Sequence, residues 1–175
     1  MAQRSFNIIA AIDEGQGLGK EGDLAWRLSA DMKHFKEVTT AVKDPSLKNV
    51  LIMGRKTWES LPVKFRPLPE RINIVLTHQR TYAVPNGVLV FNGLDTALNA
   101  VGAMDTGSIF VIGGANLYNQ AIIHPECKGL FITQVKGQYP CDVFFPAIPD
   151  CFKLIKTSPI SQENAVSFYF KEYAR

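Results

Sequence analysis

The sequence predicts an α/β protein: a single domain on a central, mostly parallel mixed β-sheet of about eight strands, with an antiparallel C-terminal edge and about four flanking helices. Three observations carry that prediction. Short, continuously apolar runs such as Asn49-Val-Leu-Ile-Met53 are the pattern of strands covered on both faces. Through residue 123 these runs alternate with segments of helical periodicity, which implies right-handed crossovers and parallel pairing. Beyond residue 130, three strand-like segments follow one another with no helix between them, as antiparallel additions at an edge would.

Taken in order, Ser5–Ile12 is the first strand, and a glycine-rich loop, Asp13–Trp26, follows it. The first helix covers Ser29–Val42, with Ser29 as N-cap and Leu28, Met32, Phe35 and Val42 marking its apolar face. Asn49–Met53 is a buried strand stopped by Gly54, and Arg55–Leu61 a short helix. The three prolines of Pro62–Glu70 indicate an ordered loop. Strands follow at Arg71–Thr77, Val88–Phe91 and Ser108–Ile112, with a helix at Leu94–Val101. Gly113-Gly114 ends the Ser108 strand before a helix over Ala115–Ile123, and the tail supplies strands at Leu130–Val135, Phe152–Thr157 and Ser167–Tyr173.

Composition narrows the function classes. A chain of 175 residues suits one domain burying roughly 70% of its unfolded surface. With 46% hydrophobic and 20% charged residues it reads as an ordinary globule, and no apolar run approaches a membrane span. Net charge is +3; residues 1–80 hold 13 Lys/Arg against 9 Asp/Glu, an excess too dispersed for nucleic acid and better suited to a small anionic ligand. Cys127, Cys141 and Cys151 show no Cys-x-x-Cys spacing, and His34, His78 and His124 are scattered, so neither a disulfide framework nor a metal site is expected. No signal-peptide core precedes the first strand, and with reduced thiols this leads to the expectation of a cytoplasmic protein.

Open parallel sheets bind ligands at the carboxyl ends of their strands, and three such ends carry chemistry here. Gly17-Leu-Gly19-Lys-Glu-Gly22 matches G-x-G-x-x-G in letters, yet Asp23-Leu-Ala-Trp-Arg separates it from the helix; a mobile cover over a ligand is the better functional reading. Gly113-Gly114 sits between strand and helix, where backbone can approach a phosphate, or where strand and helix simply pack tightly. Gly54-Arg55-Lys56-Thr57 offers two cations and a hydroxyl at another strand end, or a solvated basic turn. Two such ends suggest a dinucleotide with an extra phosphate. Arg71 suits either a ligand carboxylate or a structural ion pair; Thr133 and Tyr118 are also open to structural explanations. Asp31 lies beside the apolar face of the first helix, either favoured there by the helix dipole or held in an apolar cleft to bind or protonate a ligand.

Together these residues resemble dihydrofolate reductase across the whole chain. The matching segments are Ile9-Ala-Ala, Gly17–Trp26, Asp31-Met-Lys-His-Phe35, Val50–Ser60, Arg66–Asn73, Ile112–Tyr118, Leu130-Phe-Ile-Thr133 and Asp142-Val-Phe-Phe-Pro146. The resemblance implies NADPH-dependent reduction of 7,8-dihydrofolate to tetrahydrofolate, inhibition by antifolates such as methotrexate, and a monomer with no nucleic-acid or membrane partner. It implies that Asp31, Trp26, Thr133 and Leu24 serve the chemistry, Asp31 with a pKa raised by burial. Ile9, Met32, Phe35, Lys36, Leu61, Ile112 and Tyr118 would contact the substrate, and Arg71 would hold its glutamate carboxylate. Cofactor contacts would run through Ala11, Gly17, Leu18, Gly19, Lys20, Gly22 and Asp23, then Gly54, Arg55, Lys56 and Thr57. Leu76, Thr77 and His78 would lie toward the adenosine, and Ile112, Gly113, Gly114, Ala115, Asn116, Leu117 and Tyr118 would complete the set. A cis peptide is implied between Gly113 and Gly114. Ala25 departs from the family, which usually has proline there, so a less rigid covering loop is expected.

Two rivals share parts of this pattern. A pyrimidine reductase of riboflavin synthesis has the same fold and cofactor but leaves Asp31, Phe35 and Arg71 together unexplained. An inactive NADP-binding module would lose Asp31 or the Trp26 loop, and both are present. The sequence is compatible with a free-standing enzyme and with the first domain of a thymidylate synthase fusion.

Overall fold

Alternation along the central strands divides the core of the molecule into two layers. A computed structural model describes residues 4–175, so the start of the segment in which no signal-peptide core is expected lies outside the described residues. Strands β1 (Phe6–Ile12) and β4 (Val50–Gly54) lie near the middle of the sheet. Successive side chains of a strand point to opposite faces. Ile8, Ala10, Val50 and Ile52 therefore pack on one side with helices α3 (Leu94–Gly102) and α4 (Ala115–Ile122). Ile9, Leu51 and Met53 face the other way, toward Phe35 and Val38 of α1 (Ser29–Thr40) and Trp58 of α2 (Arg55–Ser60).

The remaining strands of the main sheet are β5 (Ile72–Leu76), β6 (Leu89–Phe91), β7 (Ile109–Val111), β8 (Cys127–Val135), β10 (Lys153–Thr157), β11 (Ser161–Glu163) and β12 (Val166–Ala174). Their order is β10-β12-β8-β1-β7-β4-β5-β6, with β11 paired to β12. From β8 through β6 every pairing is parallel; β12 on β8 and β10 on β12 are antiparallel. The chain winds outward from β1 through β4, β5 and β6, returns at β7, and crosses to β8 beyond β1. The connections thus diverge around β1 and β7, where an open sheet presents its ligand crevice.

Three expectations are corrected. The glycine-rich segment is not loop throughout: β2 (Gly17–Lys20), β3 (Asp23–Leu24) and β9 (Val143–Phe144) form a small antiparallel sheet, and its β2–β3 turn has positive φ at Glu21 and Gly22. With β11, these strands raise the described total to twelve. Ser29 is not the cap of α1; Leu28 holds that position, and the Glu163 carboxylate takes the free donors instead. The helix stops at Thr40, short of Val42, because Asn49 Nδ2 donates to the carbonyls of Thr39 and Ala41. Within the proline-rich loop, Val63–Phe65 forms a 3-10 turn and Arg66-Pro67 is cis.

Candidate active site

Asp31 sits in the first turn of α1, and Thr133 Oγ1 of β8 donates to its Oδ1 at 2.6 Å. Thr133 is buried by its place inside the sheet, between β1 and β12. Burial raises the pKa of Asp31; the Thr133 hydrogen bond and the charge of His34 oppose it and do not cancel it. His34, one turn along, stacks on Phe170 with ring centres 3.7 Å apart, and burial lowers its pKa. Burial thus shifts both groups toward their neutral forms. Tyr118 Oη donates to the carbonyl of Ile9 at 2.8 Å, and burial, with the Asp31 charge second, keeps that phenol protonated. Trp26 is buried, and its Nε1 has no hydrogen-bond partner among the described residues. A buried donor of that kind is suited to a bound water or ligand.

The expected apolar wall is assembled in large part. Ile9, Phe35, Leu61 and Ile112 pack in one cluster, together with Phe131, which the sequence did not single out. Tyr118 belongs to the opposite layer, and its hydroxyl reaches the Ile9 carbonyl. Met32 is 58% exposed and Leu24 47%, so both stand at the rim; the predicted apolar face of α1 is carried instead by Phe35, Val38 and Thr39. Lys36 is also exposed, with Glu70 3.9 Å away.

Arg71 is buried at the entry to β5. Its Nε donates to Pro69 O at 2.8 Å and its Nη1 to Thr39 Oγ1 at 2.9 Å, while the guanidinium lies 5.9 Å from the Phe35 ring centre. Among the described residues no carboxylate lies within 4 Å of it. A buried cation with neutral partners is a ready receptor for an incoming carboxylate. The structural ion pair considered from sequence is not formed.

The two glycine-marked strand ends meet. Gly54 N donates to Gly113 O at 2.8 Å, and the Gly113–Gly114 peptide is cis. A Cβ on Gly114 would stand 3.3 Å from Thr57 Oγ1, so any larger residue would crowd that hydroxyl and narrow the cradle. Ala115, Asn116 and Leu117 open α4 immediately beyond. Lys56 is exposed, whereas Arg55 is already engaged, donating to both oxygens of Glu59 at 3.0 Å. At the next strand end, Thr77 and His78 line a cavity of about 390 Å³ with Gln79, Arg80, Val90, Phe91 and Asn92. Arg80 is the cation the sequence reading missed there, although it follows His78 by two positions. Leu76 closes β5 just before it. These features fit a phosphate-bearing dinucleotide: a glycine cradle, a hydroxyl and cations along adjacent strand ends. A larger depression of about 730 Å³, lined by Arg4, Asp44, Asp105 and neighbours, lies at the amino ends of the strands and shares no residue with this crevice.

Ala11 and the segment from Gly17 to Asp23 form the remaining edge. Asp13, 1% exposed, anchors it: Oδ1 accepts from Gly15 N and Gly17 N at 2.8 and 2.7 Å, and Oδ2 from Tyr139 N at 2.8 Å. Cys141 packs against this segment so closely that a Cβ on Gly17 would come within 2.5 Å of its Sγ. Asp142 Oδ2 accepts from Glu21 N at 3.0 Å, tying the β2–β3 turn to the same strap. Lys20, Gly22 and Asp23 in that turn are exposed, and Gly19 is buried. Leu18 packs on the main core. Among the described residues no group of three His, Cys, Asp or Glu side chains is placed to hold a metal ion.

A cleft across the carboxyl ends of a doubly covered sheet, with a half-buried acid and a buried arginine along one apolar wall, defines an α/β protein built to bind a small ligand. The model of the dihydrofolate reductase family matches residues 5–175. The chain is 41% identical to a dihydrofolate reductase of Heliothis virescens, with all of both chains covered. It is 38% identical to one of Drosophila melanogaster, covering 95% of each, and 37% identical to a bifunctional dihydrofolate reductase-thymidylate synthase of Daucus carota, covering 99% of this chain and 34% of that protein. The protein belongs to the dihydrofolate reductase family.

Proposed function

We propose that this protein reduces 7,8-dihydrofolate to 5,6,7,8-tetrahydrofolate with NADPH, as a cytoplasmic monomer sensitive to antifolates. The observation that carries the reading is the half-buried Asp31 carboxyl, bonded to Thr133, on the helix whose Phe35 lies beside the Arg71 guanidinium. NADPH supplies the hydride for C6 of the pterin; the glycine cradle at Gly54 and Gly113-Gly114, with Lys56, Thr57, His78 and Arg80, would hold it.

This chain's residues divide the rest of the work. Ile9, Phe35, Leu61 and Ile112 exclude water from the ring faces. Asp31 accepts hydrogen bonds from the pterin ring nitrogen and its exocyclic amine, which fixes the ring in one orientation, and burial raises its pKa above the ordinary carboxylate value. Trp26 Nε1 supplies a donor for a water that passes the proton to N5. Arg71 pairs with the α-carboxylate of the substrate's glutamate. The expected assay result is NADPH consumption that depends on added dihydrofolate and stops at one equivalent of methotrexate. Tight NADPH binding with no turnover of any pterin would refute the reading.

A further inference from the structure

Asp31 rides on a helix turn with little apolar anchorage of its own: Ser29 and Met32 are exposed, and Ala30 and Asp31 only half-buried. Three contacts nevertheless tie this end of α1 to one antiparallel unit. Thr133 of β8 donates to Asp31, and His34 stacks on Phe170 of β12, which is Thr133's partner in register. The third comes from β11, paired to β12: Glu163 Oε2 accepts from Ser29 N at 2.6 Å, and Oε1 from Ser29 Oγ at 2.9 Å and Ala30 N at 3.1 Å. A carboxylate more than 130 residues away thus takes the free backbone donors one and two positions before the acid. These charge-assisted bonds hold Glu163's own pKa down. The two-residue turn that follows, Asn164-Ala165, has φ of +51° and +62°; both central residues of such a hairpin need positive φ, which a non-glycine residue seldom takes. That turn ends β11 with Glu163 facing the helix.

We propose that Glu163 is a positioning residue for the reduction. By fixing the first turn of α1 against β11 and β12, it keeps Asp31 within hydrogen-bond reach of Thr133. The inference rests on the dihydrofolate reductase reading above. It requires Glu163 to act through the Thr133–Asp31 contact, which separates it from a cap that merely stabilises the fold.

A double-mutant cycle separates the two. Single-turnover dihydrofolate reduction is measured for wild type, Glu163→Ala, Thr133→Val and the double variant, each well below its melting temperature. Glu163→Ala should slow the step roughly tenfold, since small misplacements of a reacting group cost that much or more. In the Thr133→Val background the same substitution should cost less than about twofold, because the contact it protects is gone. Glu163→Gln, which keeps an oxygen acceptor, should fall between. The pH profile adds a sign. The groups around Asp31 are His34 on its own helix and Tyr118 of α4, and His34 is in turn faced by Glu37, Glu172 and Lys156. Loosening Thr133 should move the Asp31 midpoint up in Glu163→Ala, whereas loss of a nearby negative charge alone would move it down. Equal losses in both backgrounds, a downward midpoint, or an unchanged rate with only a lower melting temperature would overturn the proposal. A wild-type protein that does not reduce dihydrofolate would overturn the functional reading itself.

Discussion

Asp31 and Arg71 stand at two ends of one cleft and are built alike. Each is an ionisable group drawn partly out of water, each has a threonine hydroxyl as partner, and neither has an opposite charge within 4 Å among the described residues. Burial pushes both toward their neutral forms, raising the pKa of the acid and lowering that of the guanidinium. The outcomes differ because the starting points differ. A carboxyl shifted upward moves toward neutrality and becomes a group that can hold or release a proton. A guanidinium shifted downward is still charged at any working pH and remains a fixed receptor for an anion. The same desolvation thus makes one site for chemistry and one for binding.

The largest test of that contrast removes the acid. Asp31→Asn should lower the reduction rate at neutral pH by about 10² to 10⁴, with part of the loss recovered in acid, where solvent protonates the substrate. The same variant should be at least as stable as wild type at neutral pH. A carboxyl with a raised folded pKa binds its proton more tightly in the native state, so its cost to folding is absent below the unfolded aspartate pKa and grows as pH rises through the folded value. Melting curves should therefore show the advantage of asparagine shrinking as pH falls toward about 4.

At the other end, Arg71→Lys should raise the KM for dihydrofolate on the order of tenfold or more, because a point charge cannot replace the planar fork, while leaving kcat nearly unchanged. A pterin without the glutamate tail should be indifferent to the change; equal sensitivity would make Arg71 a structural residue. Smaller effects should come from the two threonines. Thr133→Val removes the hydrogen bond that lowers the acid's pKa, so the activity profile should move toward higher pH. Thr39→Val removes a neutral acceptor from Arg71 and should raise KM by a few-fold without moving the pH profile.

How much of this was legible in the sequence follows from the range of the interactions. The parallel strands were readable because burial on both faces leaves an unbroken apolar run, as in β4. The Gly113-Gly114 cradle, Asp31 and Arg71 were readable because each is marked locally, by a strand end or an odd charge. The small β2–β3–β9 sheet was not, since glycine-rich and exposed segments carry no alternation. Nothing near residue 29 announces that Glu163 closes its helix, and nothing near Asp13 shows that its carboxylate will gather amides from residues 15, 17 and 139. Contacts of that kind depend on register between distant strands. The exposure of Met32, against its apolar character, reflects a rim position that only the packing of α1 decides.

The contrast between the two desolvated groups is tested most directly by titrating the Asp31 carboxyl itself, as the ¹³C shift of its side-chain carbon assigned through Asp31→Asn. The midpoint should lie above that of an exposed aspartate in the wild type and rise further in Thr133→Val. A midpoint at or below the exposed value, unmoved by the threonine change, would contradict a desolvated acid held by Thr133.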